Sequence, residues 1–265
     1  LLDMPLERLE SKTLGFVGFL ENNKDKSMLD LQMLLVNIAK CLQGKTHSPG
    51  LFSSDDFNED LAVTYWKEIR FNTLLAYYYV YKLQICYTHS MFEEAIFYAE
   101  QAKDYLANMK GNILESEWVF YYALSVFETS KPSDETIPAI DSFIGRFDEW
   151  SKLCPANFEA KAALLNGMNA VWRGDSDCAF SFFERSIALL EHGHYTLLKA
   201  LGYELTARYW IGRENNKIAA LYMREAHLTY HAHGATVKAS RLIQNYPELL
   251  KENFKGGTQS VSMDG

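Results

Sequence analysis

The sequence predicts an all-α chain, a right-handed superhelix of antiparallel helix pairs, on three observations. Helix breakers are scarce, with 6 prolines and 15 glycines in 265 residues, and few breakers favour long helices. The most apolar stretch, LLAYYYVYKLQICY from Leu74 to Tyr87, runs straight into an amphipathic pattern. That pairing of a strongly apolar segment with an amphipathic one then recurs along the chain.

In chain order, PLERLESKTLGFVGF begins a looser N-terminal region, residues 1–50, in which KSMLDLQMLLVNIAKCLQG reads as a helix. KTHSPGLFSSDDFNED is rich in Ser, Pro, Gly and Asp and reads as a loop. Repeat pairs are expected over about 57–250. The Leu74–Tyr87 stretch is too short for a membrane span, which needs roughly 20 apolar residues. Its Lys82 and Gln84 lie about 200° apart at ~100° per residue, so they share no solvent face. Tyr and Val favour strands, but the partner SMFEEAIFYAEQAKDYLANM carries Phe92, Ala95, Ala99, Ala102 and Leu106 at helical spacing. The stretch therefore reads as a helix contacted on most sides.

The next pair is Ile113 to about Ser130 and SDETIPAIDSFIGRFDEWSKL. In the latter, Ser133 is the expected N-cap, Asp134 and Glu135 suit the first turn, and Pro138 is tolerated near the start. NFEAKAALLNGMNAVWRGD pairs with SDCAFSFFERSIALLEHG, and TLLKALGYELTARYWIGRENN with KIAALYMREAHLTYHAHGA. The last two pairs superimpose in sequence: Gly174 aligns with Gly212, Ala179 with Ala219, Phe182 with Tyr222 and Ser186 with Ala226, at offsets of 38 to 40 residues. The small residues allow close helix approach, and the glycines suit the turns. This is the stacking logic of tetratricopeptide-like repeats, here longer than the standard ~34 residues. Residues 1–250 form one helical-repeat domain on this reading, and 251–265, small and polar, a flexible linker or tail.

The net charge of −8 gives no reason to expect a nucleic-acid partner, since phosphates would be repelled, and no segment predicts a membrane anchor. Cys41, Cys86, Cys154 and Cys178 are widely spaced among apolar residues, with no CxxC pair. They read as free thiols acting as small hydrophobes in a cytoplasmic, reducing compartment. The chain starts Leu-Leu-Asp without a signal-like segment, and reads as a piece of a longer protein.

Catalytic signals are sparse. Gly44-Lys45-Thr46 lacks the glycine that a phosphate-binding loop needs five residues earlier, where Ala39 stands. It reads as a helix end, with Gly44 as cap and Lys45 near the negative end of the dipole. The histidines gather at EHGHY and HLTYHAHG. His227 and His231 stand at i, i+4, a spacing that can present two imidazoles to a metal, but no third ligand is specified. Cys154 and Cys178 lack a histidine partner and an oxyanion setting, and neither GxSxG nor HExxH occurs. Asp55-Asp56 and Glu93-Glu94 read as loop and solvated-face residues. No cofactor or metal site is predicted.

Aromatic residues concentrate on the first helix of successive pairs, which lines the concave face in tetratricopeptide-like stacks. Tyr and Trp are good interface anchors and equally good inter-repeat core. Tyr77, Tyr81, Tyr121, Tyr203 and Trp210 are the interaction candidates.

The phrases YYYVYKLQICYTHSMFEEAIFYAEQAKDYL, ESEWVFYYALSVF, CPANFEAKAALLNG, AFSFFERSIALLEHG and LGYELTARYWIGRENNKIAALYMREAHLTYHAHGATVKASRL, closing on YPELL, carry a resemblance. They are similar to the helical-repeat region of large multidomain signalling kinases of bacteria and some fungi. Those proteins combine a serine/threonine-kinase-like domain, an ATPase of the AAA/STAND kind, helical repeats, often a GAF sensor, and a histidine kinase. The resemblance runs from about Pro5 to Leu250 and is most specific from ELTARYWIG to YPELL. It departs at His233, where the family often has an aromatic residue, usually Trp. The family's nucleotide-binding and phosphotransfer motifs belong to other domains, and no phosphoacceptor role passes to His89 or His227.

The resemblance implies a non-catalytic regulatory and protein-interaction module of a cytoplasmic kinase. Its partners would be another protein or other domains of the parent chain, coupled to the ATPase and kinase by a population shift. The alternative is a small-molecule sensor with a groove lined by Tyr77, Tyr81, Tyr121 and Tyr203. An enzyme of unrecognised type, which the sparse catalytic signals argue against, and a homodimer formed through an exposed end repeat are the further rivals.

Overall fold

A computed structural model describes residues 4–191, 193 and 195–250. The fold is all-α. Thirteen helices follow one another among the described residues: α1 (Leu6–Asn22), α2 (Lys26–Leu42), α3 (Glu59–Glu68), α4 (Asn72–Thr88), α5 (Phe92–Ala102), α6 (Ile113–Thr129), α7 (Thr136–Leu153), α8 (Pro155–Trp172), α9 (Ser176–Glu191), α10 (Thr196–Gly212), α11 (Asn216–His233), α12 (Thr236–Asn245) and α13 (Pro247–Leu250). A short 3₁₀ segment, Lys103–Asn108, extends α5. The loop between α2 and α3 holds one isolated bridge, Ser54 to Phe57. His192, His194 and the 251–265 tail lie outside the described residues.

Local chemistry sets the helix ends. Asp25, Asn58, Asn112 and Asn215 each accept a first-turn N–H at the start of α2, α3, α6 and α11, the standard N-cap bond. α7 starts at Thr136 with Glu135, not the expected Ser133, at its N-cap and without a side-chain cap; Ser133 Oγ still accepts from the Thr136 N–H at 3.2 Å, two residues ahead of that cap. Pro155 opens α8 at a position where its missing N–H costs nothing.

One turn recurs between paired helices. A single left-handed residue stands there: Lys24, Arg70, Ser90, Gly174, Glu214 or Gly234. The next residue's N–H usually reaches back five positions, as from Asp25 to Leu20, Phe71 to Trp66, Met91 to Cys86 and Asn215 to Trp210, at 2.8–3.1 Å. This is the Schellman closure. It corrects one sequence alignment. The residue equivalent to Gly174 is Glu214, not Gly212, which is the last residue of α10; the offset is then 40 throughout. A non-glycine residue is tolerated at 214 because the Schellman bond, from the Asn215 N–H to the Trp210 carbonyl, offsets the side-chain penalty. At Gly174, φ is +82° and a Cβ would meet nothing within 4 Å. Gly174→Ala is therefore expected to cost about 1 kcal/mol from backbone strain alone, read as a lower urea midpoint with unchanged slope.

Packing follows the apolar pattern. In α4 every residue from Leu74 to Thr88 except Tyr77 is buried, as the stretch predicts. Ala179, Ser186, Ala219 and Ala226 are fully buried small residues. Gly167 lets the Phe183 ring approach so closely that a Cβ would lie 2.8 Å from it. Cys41 and Cys86 are buried, but Cys154 is half-buried and Cys178 exposed, so the hydrophobe reading fails for Cys178, which sits on the outward face of α9. His233, the departure from the family pattern, is buried.

The two ends of the helical array meet. The Thr236 hydroxyl donates to the Gln43 carbonyl at 3.0 Å, Arg241 donates to the His89 carbonyl, and Gly44 abuts Val237. Between them lies a polar network. Arg208 grips Glu128 through two bonds of 2.6 and 2.7 Å, and Glu204 holds Tyr230 at 2.9 Å and Lys238 at 2.7 Å. It ties α10 to α6, α11 and α12.

Candidate functional site

Four helices, α4, α6, α8 and α10, surround a cavity of about 400 Å³. The 40-residue register builds it. Tyr77, Glu117, Asn157 and Leu197 occupy one register position on the four helices, and Tyr81, Tyr121 and Lys161 the next position inward on three of them; all seven line the cavity. A helical turn separates the two sets, so each helix presents the same face.

The floor is buried: Tyr81, Gln84, Leu114, Tyr121, Lys161, Leu197 and Leu198. The rim is more open, with Asn112, Ile113 and Asn157 exposed. Hydrogen bonds fix most of the polar lining. Gln84 Nε2 donates to Tyr121 Oη at 3.1 Å, Asn112 Nδ2 to Tyr77 Oη at 3.2 Å, and Tyr195 Oη to Asn157 Oδ1 at 3.0 Å. Lys161 pairs with Glu117 through a short contact. The Tyr77 and Tyr81 rings lie tilted, centroids 6.2 Å apart. Tyr81 Oη is different: it has no hydrogen-bond partner among the described residues, and its residue is 8% exposed. Burial, with Glu117 and Tyr77 close by, holds its phenol well above the usual range, so it is a neutral donor.

Three of the five sequence candidates, Tyr77, Tyr81 and Tyr121, thus share one site. Tyr203 and Trp210 do not join them. Tyr203 donates to Glu191 at 2.5 Å and packs beside Tyr222. Trp210 packs on Phe180 and Tyr209, with centroids 5.0 and 5.1 Å away. Both face the α9 and α11 side of α10. Sequence reasoning missed Glu117, Asn157 and Lys161. The 40-residue register carried forward from Tyr77 and Tyr81 is the signal that finds them.

The other candidate chemistry stays dispersed. The His227 and His231 rings are 6.3 Å apart, and among the described residues no group of three or more His, Cys, Asp or Glu is placed to hold a metal. No helix among them is long and apolar enough to cross a membrane. Comparison with protein-family models, curated proteins and solved structures gives no match for this chain.

Proposed function

We propose that this chain is a non-catalytic sensing and regulatory module of a cytoplasmic signal-transduction kinase, its helix pairs wound as a right-handed, tetratricopeptide-like superhelix. The sequence resemblance supplies the kinase context. The observation that carries the sensing role is the tyrosine-lined cavity, built by equivalent positions of four helices. An extended peptide threading between α6, α10 and α12 is disfavoured, because the Arg208–Glu128 and Glu204–Lys238 pairs already join those helices.

A ligand between α4, α6, α8 and α10 changes their spacing. Three of these helices, α4, α6 and α10, also carry Tyr87, Glu128, Glu204 and Arg208, and Glu204 joins that network to α12. Occupancy would then bias two packings of the array and, through them, the ATPase and kinase of the parent chain. Docking on a protein partner or another domain of the parent is a second reading, favoured by the exposed Leu14, Phe16 and Phe19 on end helix α1.

The test is deletion of residues 1–250 from the parent kinase. Loss of signal-dependent change in ATP turnover and autophosphorylation is the expected result. Regulation identical to the intact protein would sink the proposal.

A further inference from the structure

We propose that the α4–α6–α8–α10 cavity takes a free small carboxylic acid with an apolar body, its carboxylate received by the Tyr81 hydroxyl and the Lys161 ammonium. The inference rests on the sensing reading and names the ligand class.

The donors outnumber the acceptors. Tyr81 lines the cavity with its side chain more than nine-tenths buried, and its hydroxyl, bonded to no side chain or carbonyl among the described residues, is free to donate to a ligand oxygen there. Tyr77 Oη already accepts from Asn112, which leaves its hydrogen to donate. Lys161 spends one of its three N–H donors on Glu117. Tyr195, at the N-cap of α10, gives that helix no side-chain cap, and first-turn Leu197 and Leu198 line the cavity, so the positive end of the helix faces it.

The charge balance selects the class. Glu117 and Lys161 cancel, so the remaining field comes from hydroxyl donors and the helix end, and both favour an anion. Tyrosine rings beside a carboxylate also suit a cation, but the Lys161 ammonium in the same wall repels one. A phosphate dianion meets the Glu117 carboxylate with no guanidinium to offset it, whereas a monoanionic carboxylate needs only two donors. The walls left over, Ile113, Leu114, Leu197 and Leu198, are apolar and suit a hydrocarbon body.

Calorimetric titration of the whole chain at neutral pH, with 3-phenylpropanoate and hexanoate against their carboxamides, tests this. The acids are expected to bind at least tenfold more tightly than the amides. Tyr81→Phe, which removes one oxygen, should weaken the acids about tenfold, as loss of a hydrogen bond to a charged group does, and weaken the amides clearly less. Circular dichroism of the variant checks the fold. Neither acid binding to a folded chain, acid and amide binding alike, or an indifferent Tyr81→Phe would each overturn the ligand class. An amide-selective result would do so while leaving the sensing role intact. Unchanged regulation after deletion from the parent kinase would remove that role without touching the titration.

Discussion

Glu59→Ala is expected to destabilise the fold by about 3–5 kcal/mol, the range for breaking one side of a buried ion pair. Glu59 and Lys82 are each only 3% exposed, with Oε1 and Nζ 2.7 Å apart. Glu59 also accepts from the Phe52 N–H and the Tyr78 hydroxyl, both at 2.5 Å, while Lys82 donates to the Gly50 carbonyl at 2.6 Å. The pair thus pins the α2–α3 loop onto α4. Burial works against the Lys82 ammonium, but Glu59 more than offsets it and keeps its pKa above the ordinary value. Alanine at 59 strands that charge and two donors in the core. Lys82→Met is expected to cost less, because Glu59 keeps its two other donors and the methionine stem fills the space. The double variant Glu59→Ala/Lys82→Met should be more stable than the sum of the singles predicts, since no unpaired charge remains. Urea unfolding of the three variants measures this, and limited proteolysis between Thr46 and Asp56 reports the loop. A Glu59→Ala loss below about 1 kcal/mol would show that water reaches the pair and that it does not hold the loop.

The helices were legible because their signals are local. Scarce prolines, the buried α4 stretch and the amphipathic α5 each depend on residues within a few turns. Lys82 and Gln84, on different sides of α4, already implied that the helix is surrounded. Their partners were not legible: Glu59 stands at the far end of α3, and Tyr121 is on α6. The turns were half legible. Gly174 announced a left-handed position, but Ser90 and Glu214 adopt the same backbone without glycine, so a search for glycine misplaces the register by two residues. Grouping of Tyr77, Tyr81 and Tyr121 followed from their helices. Exclusion of Tyr203 did not, because it depends on which side of α10 faces α9 and α11. The meeting of the array's ends rests on contacts such as Thr236 to Gln43, between segments with no shared pattern for a one-dimensional reading to detect.

Acid should weaken the fold through His89 before most carboxylates titrate. The ring is fully buried, and neither nitrogen has a hydrogen-bond partner among the described residues. Burial, then the neighbouring Arg241 and Lys238 charges, bring its pKa down to about 3. An unfolded histidine titrates near 6.5. Between those values the unfolded chain binds a proton that the folded chain refuses, so the unfolded state gains as pH falls. The contribution is complete above about pH 6.5 and fades towards pH 3. At about 1.4 kcal/mol per pH unit, it amounts to a loss of about 2 kcal/mol by pH 5 and about 5 kcal/mol by pH 3. His89→Phe removes the titrating group and breaks no hydrogen bond of the ring. Urea unfolding at pH 7, 6 and 5 should show wild-type stability falling more steeply than that of the variant, by about 2 kcal/mol at pH 5. Carboxylate protonation affects both proteins alike below that point, so the comparison isolates the histidine. Parallel slopes would mean that His89 is protonated inside the fold, and that the contact between the end of α4 and Arg241 tolerates a second positive charge.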